Sequence, residues 1–248
     1  MKNIILFCYA HPDDESFGSG GTIAKYAARE DTEVHLLCAT RGEEGQMGNP
    51  PLCSRAELGA LREQELLNAA QALGIKKVHF LAYRDKLLSH VSMKQLSLEV
   101  KTIIYELGAQ VVITFPSHGI SGHPDHKAIH YAVHDAVTND RRTPVKKLYN
   151  QTIPASIAAH RLIPHSDPDE RVTTYISCKE HIPQVLEALR AHQTQHDVIE
   201  KYFPGFKEGK LEDAVFAVNW FMLRWASADV ATSAAEDDLL QGLPNAHR

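Results

Sequence analysis

Two short stretches of the chain put imidazoles and carboxylates in close order: "AHPDDES" at residues 10–16 and "GHPDH" at residues 122–126. His11 and Asp14 stand three apart, so a loop that curls like a helical turn brings both side chains to one point. His123 and His126 share that spacing, and Pro124 suits the first turn of a following helix, where its missing N–H costs little. Either His126 or His123 could then join His11 and Asp14. Two imidazoles and one carboxylate leave an open position on a divalent ion, the arrangement of catalytic rather than structural zinc. Asp13 is too close in sequence to Asp14 for both to ligate comfortably. It is free to face the coordinated water as a base, and the ion would lower that water's pKa to about 7.

Taken singly, each motif has a plainer explanation. His-x-x-Asp at a strand end is ordinarily a turn with a capping aspartate, and His-x-x-His on a helix is ordinarily a surface pair. Their joint appearance at neighbouring strand ends is what points to a metal site. Glu15 reads as support for its neighbours or for a helix N-terminus rather than as a chemical participant.

The elements that must position these residues follow from hydrophobic periodicity. Apolar runs alternate with helix-period segments: "NIILFCY" then 16–29, "TEVHLLCAT" then 54–73, "KKVHFLA" then 93–107, "AQVVITF" then 124–137. Such alternation predicts βαβ units and a Rossmann-like parallel α/β sheet flanked by helices on both faces. In the second helix Ser54 and Glu57 form a capping-box pattern, and Gly74 supplies the stop. Beyond Asn139 the pattern predicts added edge strands at "VKKLYNQTI" and "RVTTYIS", a covering helix over about 179–201, and an apolar face in "DAVFAVNWFMLRW". Residues 1–227 then form one domain, and 228–248 a mobile tail. Ligands of an open parallel sheet bind beyond the carboxyl ends of its strands. "HPDDE", "TRGEEGQ", "YRD" and "SHGISGHPDH" follow the first four strands, so all four loops should meet at one edge.

Composition narrows the function. A net charge of −5, with no Lys/Arg stripe interleaved with aromatics, argues against nucleic acid. No stretch nears the roughly 20 apolar residues of a membrane helix, and the opening apolar run lacks a signal-peptide cleavage site. Four scattered cysteines with no Cys-x-x-Cys fit a reduced cytoplasmic protein. "FGSGGTIA" does not match a dinucleotide fingerprint, since its glycines come late and the second strand ends in Thr40-Arg41 rather than an acid.

Together "AHPDDESFGSGGTIAKYAARE", "TRGEEGQ", "LREQELLNAAQALGI" and "GHPDH" resemble the LmbE/PIG-L deacetylase family over about the first 140 residues, and "LRAHQTQ" resembles its C-terminal helix. The resemblance implies a zinc enzyme that removes the acetyl group from a small N-acetylglucosamine conjugate. Such conjugates include precursors of the low-molecular-weight thiols mycothiol and bacillithiol. It implies His11, Asp14 and His126 as ligands, Asp13 as general base, His123 as the oxyanion-stabilising histidine with Asp125 orienting its ring, and Arg62 in contact with substrate. Fe(II) or Co(II) would suit the same donors. Gln46 stands where mycothiol-pathway members carry Glu, and Ser121 where they carry Tyr, so the group attached to the sugar stays open, as does assembly into a homo-oligomer. The rivals are an amidase for a larger acyl group, a non-catalytic metal- or sugar-binding module, and a cysteine hydrolase built on Cys53. Retention of both Asp13 and His123 argues against mere binding.

Overall fold

The computed structural model describes residues 2–159, 163–208 and 216–243. Its centre is the strand β1 (Asn3–Tyr9), whose Ile5 to Tyr9 are wholly buried because both faces of the sheet are covered. Beside it lie β2 (Thr32–Thr40) and β3 (Lys77–Tyr83) on one flank, and β4 (Val111–Thr114) and β5 (Lys147–Thr152) on the other. These five strands are parallel, in the order β3-β2-β1-β4-β5. Two further strands, β6 (Thr174–Ser177) and β7 (Val218–Ala226), extend the sheet antiparallel as β5-β7-β6. Both added strands of the sequence pattern are thus present, as β5 and β6, with only β6 at the edge, and "NWFMLRW", expected only to present an apolar face, is the strand β7 between them.

The strand order reverses after β3. Right-handed crossovers therefore place α2 (Gly20–Ala27) and α3 (Leu58–Leu73) on one face, and α4 (Met93–Leu107) and α5 (Pro124–Thr138) on the other. α7 (Ile182–Ala191) covers α2 and α3, as expected of the C-terminal segment. α3 begins three residues later than its capping-box pattern implies, with Glu57 rather than Ser54 at the N-cap. Ser54 does bond Glu57, through both its N–H (3.0 Å) and its Oγ (2.6 Å), but this closes a turn ahead of the helix. Gly74 ends α3 in the left-handed conformation, φ 74°, as the sequence predicts.

Two expected helices are broken, both for reasons that bear on the site. The first divides into α1 (Asp14–Gly18) and α2 at Ser19, whose Oγ lies 2.6 Å from Tyr9 Oη and donates to Gln151 Oε1 at 2.8 Å. A Cβ on Gly18 would fall 1.9 Å from the Gln151 side-chain nitrogen, so glycine lets β5 approach this junction. The second breaks at His192 (φ −80°, ψ 61°) and resumes as α8 (His196–Tyr202). There the backbone leaves the helix so that His192, Thr194 and Gln195 can meet Glu15, Glu65 and the Gln46 carbonyl.

The tail set apart at Ala228 is not loose over its described part. Glu236 accepts from Lys147 Nζ (2.8 Å) and Tyr149 Oη (2.6 Å), all three side chains being buried. Tyr26 Oη donates to Asp238 at 2.7 Å, and Leu239 is fully buried. An acidic stretch that reads as solvated is drawn in because β5 buries a lysine that needs an anion. Residues 244–248 of the predicted tail, and 213–215 of the predicted apolar face, lie outside the described residues.

Candidate metal centre

β1 and β4 are adjacent, but the chain leaves them toward opposite faces, and the crevice this opens beyond their carboxyl ends is the usual ligand site of such sheets. His11 follows β1 directly, and Asp14 opens α1. From the β4 side, His123 caps α5 with Pro124 at its first position, and Asp125 and His126 stand in the first turn. The loop after β3 adds Asp85. Sequence spacing and strand order thus bring five predicted residues, with Asp85, to one point.

His11 Nδ1 lies 3.2 Å from His126 Nε2. Asp14 presents one oxygen to each ring, Oδ1 at 3.3 Å from His126 Nε2 and Oδ2 at 3.6 Å from His11 Nδ1. A tetrahedral ion with ligand distances of about 2.0–2.1 Å needs donors about 3.3 Å apart, a spacing that the two ring nitrogens match, while Asp14 offers each of them a separate oxygen. The hydrogen bonds also set the tautomers. His126 Nδ1 can only donate to the Gly119 carbonyl at 2.9 Å, which leaves Nε2 a free lone pair. His11 Nε2 faces Asp85 at 3.1 Å and Asp125 at 3.4 Å, which leaves Nδ1 as the ligating atom. Imidazoles backed by a carboxylate or a carbonyl in this way are the ordinary outer shell of a metal ligand. His123 is close as well: its ring nitrogens, with those of His11 and His126, form a second group within 4.8 Å. Its Nδ1, however, accepts the Asp125 N–H at 3.1 Å, so the neutral ring carries its proton on Nε2 and is a donor there.

Without an ion, the charges respond to one another. Burial opposes the charged form of His11, but bonds to Asp125, Asp14 and Asp85 hold its pKa well above the ordinary value. Burial pushes Asp14 up, and the neighbouring His126 and His11 more than offset it, keeping the carboxylate well below its usual range. Asp13, by contrast, is pushed up to about 6 by burial, with Asp14 adding to the shift and Arg62 opposing it. Adjacent carboxylates with opposite shifts are the mark of divided roles.

A family model, GlcNAc-PI de-N-acetylase (PIG-L), matches residues 6–137, which contain every one of these groups. This chain belongs to the PIG-L family. A Bacillus anthracis protein named "Probable N-acetyl-alpha-D-glucosaminyl L-malate deacetylase 2" is 36% identical over 79% of this chain and 83% of its own. An Acidothermus cellulolyticus protein, "1D-myo-inositol 2-acetamido-2-deoxy-alpha-D-glucopyranoside deacetylase", is 31% identical over 98% of this chain and 96% of its own. Among solved structures, N,N'-diacetylchitobiose deacetylase from Pyrococcus horikoshii superposes with a TM-score of 0.67 over 90% of this chain and 84% of its own, at 22% identity. Teicoplanin deacetylase Orf2 gives 0.64 over 92% and 100%, at 15%. At such identities the superpositions show the fold alone.

Two residues of this PIG-L chain do not stand where the resemblance implies. Asp125 does not orient the His123 ring. Its Oδ2 accepts from the Lys86 N–H (2.7 Å) and faces His11, and only its backbone N–H reaches His123. Arg62 is 3% exposed, and its guanidinium is taken up by the chain: Nη1 donates to the Gly42 carbonyl (2.9 Å), and Nη2 to the Pro12 carbonyl and to Asp13 Oδ2 (3.0 Å). Having turned inward, it holds Asp13 rather than offering a fork to substrate. Nor does it pair with Glu65, whose carboxylate is occupied by the Thr194 N–H and hydroxyl at 2.8 and 2.7 Å.

Three participants were not singled out as site residues. Asp85 backs His11, as described. Glu15 accepts the Asp13 N–H on Oε2 at 3.1 Å and His192 Nε2 on Oε1 at 2.8 Å, and both Glu15 and His192 are fully buried. Asp13 needs this support, since its φ of 109° is one that non-glycine residues rarely adopt. The signal for His192 was the polar run "HQTQ", too hydrophilic for the buried helix it interrupts. Cys53 has no activating base beside it, and burial with nearby Glu57 and Glu65 pushes its thiol up, the wrong direction for a nucleophile.

A cavity of about 310 Å³ opens over the centre. His11, Asp13, Asp14, His123 and His126 line its floor, with Ser121, Gln151 and Gln195 beside them.

Proposed function

We propose that this chain is a zinc-dependent hydrolase that removes the N-acetyl group from a small N-acetylglucosamine conjugate. His11, Asp14 and His126 hold the ion, Asp13 is the general base, and His123 is the oxyanion donor. The observation that carries the reading is the close gathering of His11, Asp14 and His126 with their tautomers already set, beside a second carboxylate, Asp13, that is bonded to Arg62. The names of the relatives supply the acetamido-sugar class.

An ion held by these three residues supplies a water of pKa about 7 and a Lewis acid for the amide oxygen. Asp13 takes the proton of the attacking water, and its elevated pKa suits it to accept one near neutrality and to pass it to the leaving amine. His123 enters neutral, because burial lowers its pKa, and its Nε2–H can donate to the oxyanion of the tetrahedral intermediate. Loss of one such donor typically costs about 10²–10³ in rate. Asp125 and Asp85 keep the His11 proton on Nε2, and Ser121 supports His126 from 3.2 Å. Acetate and a free amino sugar result.

We place the reaction in the cytoplasm, since all four cysteines are free and three of them are buried as thiols. Among the described residues, no helix is long and apolar enough to cross a membrane. The test is metal analysis of the purified protein together with acetate release from a panel of N-acetylglucosamine conjugates, before and after chelation. About one ion per chain is expected, with release abolished by chelation and restored by Zn²⁺. Chelator-resistant release at full rate would remove the ion from the mechanism.

A further inference from the structure

Beside the centre just described, the cavity is lined by Ser121, Gln151 and Gln195. Gln151 Oε1 and Gln195 Nε2 are bonded within the chain, which leaves Gln151 Nε2 and Gln195 Oε1 for a sugar hydroxyl. The same cavity carries an apolar wall from α1, the segment after β5, α8 and the residue Phe216 ahead of β7, its side chains being Phe17, Ile153, Val198, Tyr202, Phe203 and Phe216. Phe17 packs on Tyr202 and Phe203, with ring centroids 5.9 and 5.5 Å apart, so this wall is a formed aromatic cluster rather than scattered exposure. Apart from the centre itself, the charged residues on the cavity are few among the described residues. Arg62 is bound to Asp13, Asp85 is bound to His11, and Glu44 is paired with Arg84. Lys86, at the rim, is the one cation among the described lining residues without a carboxylate partner in that set of ion pairs. Among the described lining residues a dicarboxylate such as malate would meet a single cation and a nearby glutamate, and a polyhydroxylated ring such as inositol would leave hydroxyls unpaired against hydrocarbon.

We propose that this wall is a subsite for an apolar substituent of the amino-sugar substrate, an aryl or alkyl group carried either at the anomeric oxygen or on the amide. The inference rests on the amide hydrolysis of that reading: an apolar group at the anomeric oxygen sharpens it, and one on the amide puts a larger acyl group in place of the acetyl. The chain selects a hydrophobic conjugate over the malate and inositol conjugates named for its relatives. Polar groups at the floor orient the sugar, and removal of apolar surface from water supplies the selectivity, as in small-molecule sites generally.

The experiment compares kcat/KM of the zinc-loaded protein for three acetamido glycosides: phenyl, malate and myo-inositol. A fourth substrate is an N-hexanoyl glucosaminide. The affinities of the deacylated phenyl and malate glucosaminides are measured by calorimetry in parallel. The phenyl glycoside or the N-hexanoyl compound is expected to exceed the malate glycoside by at least tenfold, and whichever leads identifies the position of the apolar group. Val198→Asp, on α8, should erase that preference, and Val198→Leu, which keeps the wall apolar, should retain it. A malate conjugate preferred in turnover or affinity, and made ordinary by Lys86→Ala, would overturn the proposal. If no conjugate is turned over, the deacetylase reading fails. The binding ratio then still decides the subsite: tighter phenyl glucosaminide supports it, and equal or weaker affinity overturns it.

Discussion

Two pairs of imidazoles in this molecule have ring nitrogens 3.2 Å apart: His11 with His126, and His35 on β2 with His79 on β3. Distance alone does not distinguish them; their surroundings do. His11 has carboxylates on both nitrogens, and the second nitrogen of His126 is bound to a carbonyl. His35 and His79 lie beside Lys77, and the nearest acid, Glu33, sits 3.8 Å from the His35 nitrogen that faces away from His79. Burial accordingly drives the second pair toward neutrality, His79 down to about 4, whereas the acids hold His11 above its ordinary value. What makes a histidine pair a centre is an anionic third donor and a partner for each remote nitrogen.

The largest effect that can break this comparison is loss of a ligand. His126→Ala or Asp14→Ala should release the ion and abolish activity, while His79→Ala should change neither. Elemental analysis of the three variants decides it, and a His79→Ala protein short of metal would mean that both pairs bind. Next comes the separation of binding from chemistry. Asp13→Asn should keep its metal and lose about 10²–10⁴-fold in kcat, the usual range for a general base. If Asp13→Asn emptied the centre instead, the roles of Asp13 and Asp14 would have to be exchanged.

Smaller effects are expected from the groups that hold Asp13. Lysine cannot reach the Pro12 and Gly42 carbonyls and Asp13 together, so Arg62→Lys should lower kcat with KM nearly unchanged. A rise confined to KM would return Arg62 to the substrate. His192→Ala should likewise depress kcat at full metal content, and His192→Gln, which can still donate to Glu15, should recover part of the rate.

The smallest effect concerns stability. His79 and His130 are held at about 4 in the folded chain, chiefly by burial, against an ordinary 6.5. Between those values the unfolded chain binds protons that the folded chain does not, so stability is full above about pH 6.5 and declines as pH falls toward 4. Thermal melting across that window should show the decline, and His130→Gln should flatten it. An unchanged slope in the variant would assign the decline to other groups.

Much of this was legible in the chain. The ends of β2 and α4 follow from their apolar runs and from Gly108, and the proposed ligands follow from two short motifs placed after adjacent parallel strands. Local chemistry carries such signals. The rest is long-range: Glu15 and His192 are 177 residues apart, and nothing in either neighbourhood names the other. Arg62 was recognisable as important but not as facing inward, because the carbonyls it serves belong to loops whose course depends on the fold. The acidic tail misleads for a similar reason, its partner being a lysine buried on β5.

The link between Glu15 and His192 also bears on the order of synthesis. The chain emerges N-terminus first, so all three proposed ligands are made well before the residue that steadies Asp13 through Glu15. A nascent or prematurely ended chain therefore contains the proposed ligands before it contains the residue that steadies the proposed base, and full activity is expected only after the C-terminal segment has folded back over the first helix.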